Sequence, residues 1–214
     1  MVPVTGESAD QPLFTLKSIL QRIDLRELFG RPQPLEVELG SGDGSFLVEH
    51  ASRNPDKNFI GVERLLGRIR KMGRKTLRAG LLNVRGVRIE SSYFLECLLP
   101  RHSAVALHIY FPDPWPKRRH RRHRLVHEGF PALARRALAP GGVVYLRTDD
   151  QTYFEQMLTV FAMSTAFRPV ETPPALLGVL TDFEREFQAR HITTLRAAYQ
   201  LSTGPSEIPA SLGT

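Results

Sequence analysis

Three carboxylates stand at or near the ends of short apolar runs: Glu38 in Leu35-Glu-Val-Glu-Leu39, Glu63 in Phe59-Ile-Gly-Val-Glu63, and Glu90 in Val87-Arg-Ile-Glu90. The first run leads into Gly40-Ser-Gly42-Asp-Gly44. Glycines at that spacing let the chain turn sharply and bring backbone N–H groups close to a ligand. The pattern is G-x-G-x-G, not the G-x-G-x-x-G of dinucleotide enzymes. An acid just before the glycines repels a pyrophosphate and suits a cation, such as an ammonium or a sulfonium. Glu63 lies 19 residues past the last glycine, a spacing at which a carboxylate accepts from both hydroxyls of a ribose. Glu90 can take an adenine amino group, and reads equally well as a surface glutamate. Together the acids call for a nucleoside with a positive, non-phosphate tail, a description that S-adenosylmethionine fits.

A second constellation is Tyr110-Phe-Pro-Asp113-Pro-Trp115-Pro-Lys117. Three prolines fix three φ angles, so Asp113 and Trp115 are pre-positioned at low entropic cost. An ionised Asp113 can accept from the N1–H and amino group of a guanine. Trp115 either stacks on a base or buttresses the loop. The run Lys117 to Arg124, KRRHRRHR, holds six of the 29 Lys+Arg and no acid; without it the chain has 23 basic and 22 acidic residues. The net charge of +7 thus reads as concentrated in one loop placed to hold phosphates. Thr148-Asp149 offers a further carboxylate or a helix cap. Thr181-Asp182-Phe183-Glu184 has the form of a capping box. His123 and His127 are four apart but lack a third ligand at metal spacing, so no metal is expected. No Ser/His/Asp elbow or reactive-cysteine setting is visible.

These residues need elements to hold them. Strand patterns run over residues 35–39, 58–62, 84–89, 104–111, 143–147, 167–170 and 194–201. Helical patterns run over 13–29, 46–52, 65–79, 93–99, 124–138, 151–163 and 181–189. In the first helix the period slips at Glu27, where an apolar residue is due. Alternating strands and helices predict an α/β fold with a mostly parallel central sheet and helices on both faces. Ligands in such sheets bind at the carboxyl ends of the strands, near the switch in strand order. With 214 residues, 42% of them apolar, one domain over residues 13–203 is expected, with tails at 1–12 and 204–214. Cys97 is the only cysteine and reads as a small buried residue. There is no secretory pattern at the start and no apolar run long enough to span a bilayer, which predicts a cytoplasmic protein with no membrane partner.

Taken together, these residues resemble the bacterial tRNA (guanine-N7-)-methyltransferase family over about Leu35 to Leu201. Glu38-Leu-Gly-Ser-Gly-Asp-Gly44 is similar to the family's methyl-donor glycine motif. Phe111-Pro-Asp-Pro-Trp-Pro-Lys117 with Arg119-His120 is similar to its signature PDPW-x-K-x-RH, and Thr148-Asp149 and Thr181-x-Phe183-Glu184 match two further motifs. The resemblance implies a Rossmann-like class I methyltransferase that transfers a methyl group from S-adenosylmethionine to N7 of the guanine at tRNA position 46. It implies donor binding by Glu38, Gly40, Gly42, Gly44, Glu63, Glu90 and Asp113; the rigid strand-exit position of Asp113 also makes it the catalytic candidate, orienting the guanine and offsetting the charge that forms on it. It implies tRNA binding by Lys117, Arg119, His120, Asp149, Thr181, Asp182, Phe183 and Glu184; the sequence leaves monomer and homodimer both open. Three positions depart from the family: Glu90 stands for Asp, His123 stands for Arg, and the segment before Leu35 is not arginine-rich. The rival readings are a methyltransferase of another RNA, and a non-catalytic RNA-binding protein of this fold.

Overall fold

The computed structural model describes residues 11–203, apart from the side chain of Arg118. The expected tail at 204–214 and residues 1–10 lie outside the described residues. Of the expected first tail, Pro12 is described: it is buried, and its carbonyl accepts from Gly86 N–H at 2.7 Å.

Eight strands form one sheet: β1 (Leu13–Phe14), β2 (Leu35–Leu39), β3 (Asn58–Val62), β4 (Val84–Val87), β5 (Ala104–Tyr110), β6 (Leu138–Thr148), β7 (Phe167–Val170) and β8 (Leu195–Leu201), in the order β1-β4-β3-β2-β5-β6-β8-β7. All pairings are parallel except β6 with β8 and β7 with β8. The chain winds outward from β2 to β4, then returns to lay β5 on the other side of β2. The carboxyl ends of β2 and β5 therefore diverge into the glycine turn and the proline-rich loop, leaving a crevice between them.

Helices cover both faces, and period-two alternation along the strands feeds both cores. Ile60, Val62, Leu107 and Ile109 face α4 (Ser91–Tyr93, continued by a π-helical turn Phe94–Leu98), α5 (Phe130–Ala137) and α6 (Gln151–Ala162). Phe59 and Val84 face α2 (Ser45–Arg53) and α3 (Leu66–Arg78). α3 sits very close to the sheet: a Cβ on Gly61 would lie 2.6 Å from Met72 Sδ, so glycine there lets the helix pack down. Among the described residues, no helix is long and apolar enough to cross a membrane.

Two expected helices take another form. Residues 13–29 form the short β1 and a single turn, α1 (Leu25–Leu28). The amphipathic period loses to edge pairing: Leu13 packs over Gly73 and Gly86, Ile23 N–H donates to Leu98 O at 2.8 Å, and Ile19 and Leu20 are left exposed. Residues 124–138 do not form one helix either. Arg118–His123 is a 3₁₀ turn, Arg124 is extended, and α5 begins only at Phe130, with Pro131 in its first turn. The burial of Arg124 holds that stretch extended, as described below. β6 begins at Leu138, earlier than its apolar run, because Gly141 at φ 76 carries the chain through an irregularity into the strand. Short helices α7 (Pro174–Leu177) and α8 (Asp182–Ala189) complete the fold.

Candidate active site

A cleft of about 610 Å³ opens in the crevice between β2 and β5. Its wall includes Gly40, Glu63, Glu90, Asp113 and Trp115, so residues from four separate loops meet as the topology requires. The glycine turn is pinned at its start, where Gly40 and Ser41 N–H both donate to Val62 O at 2.9 Å. Gly40, Gly42 and Gly44 have φ of 79, 57 and 78°, a region that side chains with a Cβ rarely occupy.

Glu63 is buried beneath this turn and accepts from Gly42 N–H at 3.1 Å and Leu65 N–H at 2.7 Å. Each oxygen keeps a second lone pair for a ligand hydroxyl. Glu90 is exposed and caps α4, accepting from Ser92 N–H at 2.9 Å and Tyr93 N–H at 2.8 Å. It is thus a helix cap that also lines the cleft.

Glu38 differs from both. It is buried, and its Oε2 has no hydrogen-bond partner among the described residues. Burial pushes its carboxyl well above the usual carboxylate range; Asp43 and Glu63 push the same way, and Arg147 opposes. A buried acceptor without a donor is costly, and a ligand cation in the adjoining glycine turn would supply the missing donor and charge. The structure thus brings Gly40, Glu63, Glu90 and Asp113 to one cleft wall, while Glu38, Gly42 and Gly44 do not line it and Glu38 lies buried behind the glycine turn. Glu63 and Glu90 fit a nucleoside, and Glu38 fits its positive tail only where that tail reaches through the turn.

The loop after β5 is strained and held. Phe111 and Trp115 have φ of 50 and 43°, each costing about 1–2 kcal/mol for a residue with a Cβ. Phe111 N–H donates to Arg147 O at 2.8 Å, and Arg124 Nε donates to Pro114 O at 2.7 Å. Asp113 is exposed at the cleft and makes no hydrogen bond to another described residue. Trp115 is half-buried, its ring 5.3 Å from that of His123 and 5.9 Å from that of His120.

Arg124 leaves the expected phosphate-holding run. Only 1% exposed, it bonds Pro114, Gln156 Oε1 at 2.8 Å and Thr152 Oγ1 at 3.2 Å, and stacks over Tyr153 at 4.5 Å. It is a tether for the loop. Lys117, just before the 3₁₀ turn, and Arg119 on it are exposed, and His120 is half-exposed.

At the exit of β6 the two readings of the acidic pair divide between neighbours. Asp150, not Asp149, caps α6, accepting from Tyr153 N–H at 2.7 Å; Asp149 stays exposed. The capping box of α8 is present: Glu184 N–H donates to Thr181 Oγ1, and Thr181 N–H to Glu184 Oε2, each at 3.0 Å. Glu184 is fully buried and also accepts from Arg147 and Arg196, each at 2.7 Å. Burial alone would raise its carboxyl; the Thr181 backbone and the two arginines outweigh that and hold it below the usual range. Asp182 lies on the α2 side, bonded to Ser45 and to Arg185 at 2.9 Å. Phe183 is exposed, its ring 5.7 Å from Phe111, so the start of α8 borders the proline-rich loop.

Two features escape sequence reasoning. Arg147, in the apolar run of β6, is buried between Glu184 and the carbonyls of Leu176 and Val179, 4.2 Å over the Tyr110 ring. Glu36, His50 and His108 also meet in the interior. Glu36 Oε2 accepts from His50 Nε2 at 2.9 Å and His108 Nε2 at 2.8 Å, and its Oε1 accepts from Lys57 at 2.7 Å. His108 Nδ1 pairs with Tyr110 OH at 2.8 Å. The three residues have the composition of a metal site, but these hydrogen bonds already account for the arrangement. The available signal was a polar residue inside each of two strands buried on both faces, since such groups require partners.

A family model described as "Putative methyltransferase" matches residues 32–197. The chain is 35% identical to the tRNA (guanine-N(7)-)-methyltransferase of Geobacillus kaustophilus, over 77% of this chain and 78% of that one. It is 36% identical to the enzyme of the same name from Sodalis glossinidius, over 78% and 72%, and 38% identical to that from Chromohalobacter salexigens, over 71% of this chain but only 62% of that one. In fold it is similar to the 16S rRNA methyltransferase KamB, with a TM-score of 0.60 at 16% identity over 83% of this chain and 92% of that one. The family model covers most of the chain and relatives more than 30% identical are covered over two thirds of their length, so the chain belongs to the tRNA (guanine-N(7)-)-methyltransferase family.

Proposed function

We propose that this protein binds S-adenosylmethionine in the β2–β5 cleft and methylates N7 of the guanine at position 46 of the tRNA variable loop. The observation that carries the reading is the buried Glu38 carboxyl, whose free oxygen awaits a cationic donor beside the glycine turn. Names of relatives at 35–38% identity support the tRNA substrate. When bound, the donor supplies an electrophilic methyl group on its sulfonium.

The chain's own residues bind and orient. Glu38 holds the amino-acid ammonium, Glu63 the ribose hydroxyls and Glu90 the adenine amino group. Guanine N7 has a lone pair and no proton, so no general base is required. The remaining work is alignment and exclusion of water. Asp113, on its conformationally fixed loop, accepts from guanine N1–H and the amino group and offsets the positive charge forming on the ring. Trp115 supplies an aromatic wall, Lys117, Arg119 and His120 meet phosphates, and Asp149 and Phe183 face the substrate, whereas Asp182, turned to the α2 side, does not. Thr181 and Glu184 act through the pose of α8, because Glu184 is buried and fully paired.

The test supplies labelled S-adenosylmethionine and unmodified tRNA, then maps the product by reductive cleavage at 7-methylguanosine. Cleavage at position 46 is expected. Label elsewhere in the tRNA, or none, rejects the assignment. Asp113→Ala is expected to lower kcat at least about 100-fold with the fold intact; near-normal turnover would remove Asp113 from the mechanism.

A further inference from the structure

We propose that the exposed face of α3 is a second docking surface for tRNA phosphates, running from the mouth of the donor cleft across the outside of the sheet. The inference rests on the reading of the chain as a tRNA methyltransferase and adds a surface that this reading does not assign. From Arg64 to Arg78 the chain carries seven basic residues and no acid. The balance of 23 basic and 22 acidic residues outside the proline-rich loop conceals this, because the compensating acids lie elsewhere.

The structure sorts these cations. Lys75 is half-buried and paired with Asp43 at 2.8 Å. Arg64, Arg68, Arg70, Lys71, Arg74 and Arg78 are exposed, and their side chains have no ion pair or hydrogen bond among the described residues. Several exposed arginines elsewhere pair with acids, such as Arg26 with Asp24, Arg53 with Glu49 and Arg190 with Glu186; what sets this stretch apart is six exposed, unpaired cations along it with no acid among them. Arg64 and Arg68 line the cleft itself. From Arg68 the charges continue along α3 for about 15 Å to Arg78.

This arrangement works against helix stability. Lys71 with Arg74, Arg70 with Arg74, and Arg74 with Arg78 are like-charge neighbours three or four apart, each destabilising to the helix. The first turn carries no acid and the helix has no side-chain cap, so basic residues sit at its positive end, against the macrodipole. The face is nevertheless rigid, because Ile69, Met72, Gly73 and Thr76 are buried beneath it. A fixed row of unpaired cations leading to the cleft fits an extended polyanion, and an RNA backbone supplies one.

The test is Lys71→Ala/Arg74→Ala/Arg78→Ala, three exposed sites outside the cleft where alanine favours the helix. Filter binding of tRNA at several salt concentrations is expected to show affinity at least about tenfold weaker at 150 mM salt. The slope of log affinity against log salt should be shallower by about 2–3, with circular dichroism and S-adenosylmethionine affinity unchanged. A Gln triple variant should behave alike, separating charge from packing. Wild-type affinity and slope in both variants would overturn the proposal. Unchanged tRNA binding with lost binding to phosphatidylserine vesicles would overturn it too, giving the face to a lipid surface. Absence of 7-methylguanosine from wild-type reactions would instead count against the functional reading, while the slopes still decide the role of α3.

Discussion

Glu36 and Glu38 stand two apart on one strand, and both are buried, yet their environments push them in opposite directions. Burial alone would raise Glu36, but the His108 and His50 imidazoles outweigh it and hold the carboxyl below the usual carboxylate range. Glu38 has burial without a donor and is pushed well above that range. Its folded pKa exceeds the unfolded value, so ionising it costs the fold stability as pH climbs from about 4.3 through the raised value. Glu38→Gln removes that cost. Its thermal midpoint at pH 7.5 is expected to rise by roughly 2–4 °C for each kcal/mol recovered. Its affinity for S-adenosylmethionine should fall about 10- to 100-fold, the loss of one charge-assisted hydrogen bond. Scanning calorimetry and titration calorimetry check the two limbs, and a midpoint that falls with affinity intact would contradict the assignment.

At the scale of elements, buried arginines place the loops that carry the chemistry. Arg124 ties the proline-rich loop to α6, and Arg147 ties the segment from Leu176 to Glu184 to the sheet. The capping box of α8 is therefore more than a helix start, since its N3 carboxylate is also the counter-ion of Arg147. Glu184→Ala leaves a buried guanidinium partly unpaired and is expected to cost about 3–5 kcal/mol, measured by urea unfolding. Asp182→Ala, at an exposed site, should cost under about 1 kcal/mol. Equal losses from the two substitutions would show that α8 is held by its cap alone.

Over the whole molecule, the Glu36–His108 network joins β2, β5 and α2 directly under the diverging strands, so its protonation bears on global stability. Burial holds the His108 pKa below its usual value, against the opposing pull of Glu36. The unfolded state then binds the proton more tightly, and stability present above about pH 6.5 is lost as pH falls below it. The lowered Glu36 adds stability that is lost further below about pH 4.3. In the Glu38→Gln background, which lacks the opposing slope from that residue, the thermal midpoint is expected to be level from pH 8 to 7. It should decline toward pH 5. Adding His108→Gln should lower the plateau and flatten the decline. A midpoint that climbs on acidification would refute this.

The sequence by itself determined the alternating α/β architecture, the glycine turn, the acids at strand ends and the conformationally fixed Asp113 loop. Each is written in local spacing: a period, a φ restriction, or a short run ending in a carboxylate. The α8 capping box was legible for the same reason. Tertiary contact decided the rest. Residues 13–29 carry a helical period but pair as an edge strand, because β4 offered hydrogen bonds and Gly73 and Gly86 offered room for Leu13. Arg124 looks like one cation in a basic run until Gln156, Thr152 and the Tyr153 ring enclose it. Glu36, His50 and His108 are up to 72 residues apart, and only the strand order brings them together. Burial and partnership are properties of the packed chain, so a residue's type and neighbours in sequence fix what it can do, whereas the fold fixes whether it is free to do it.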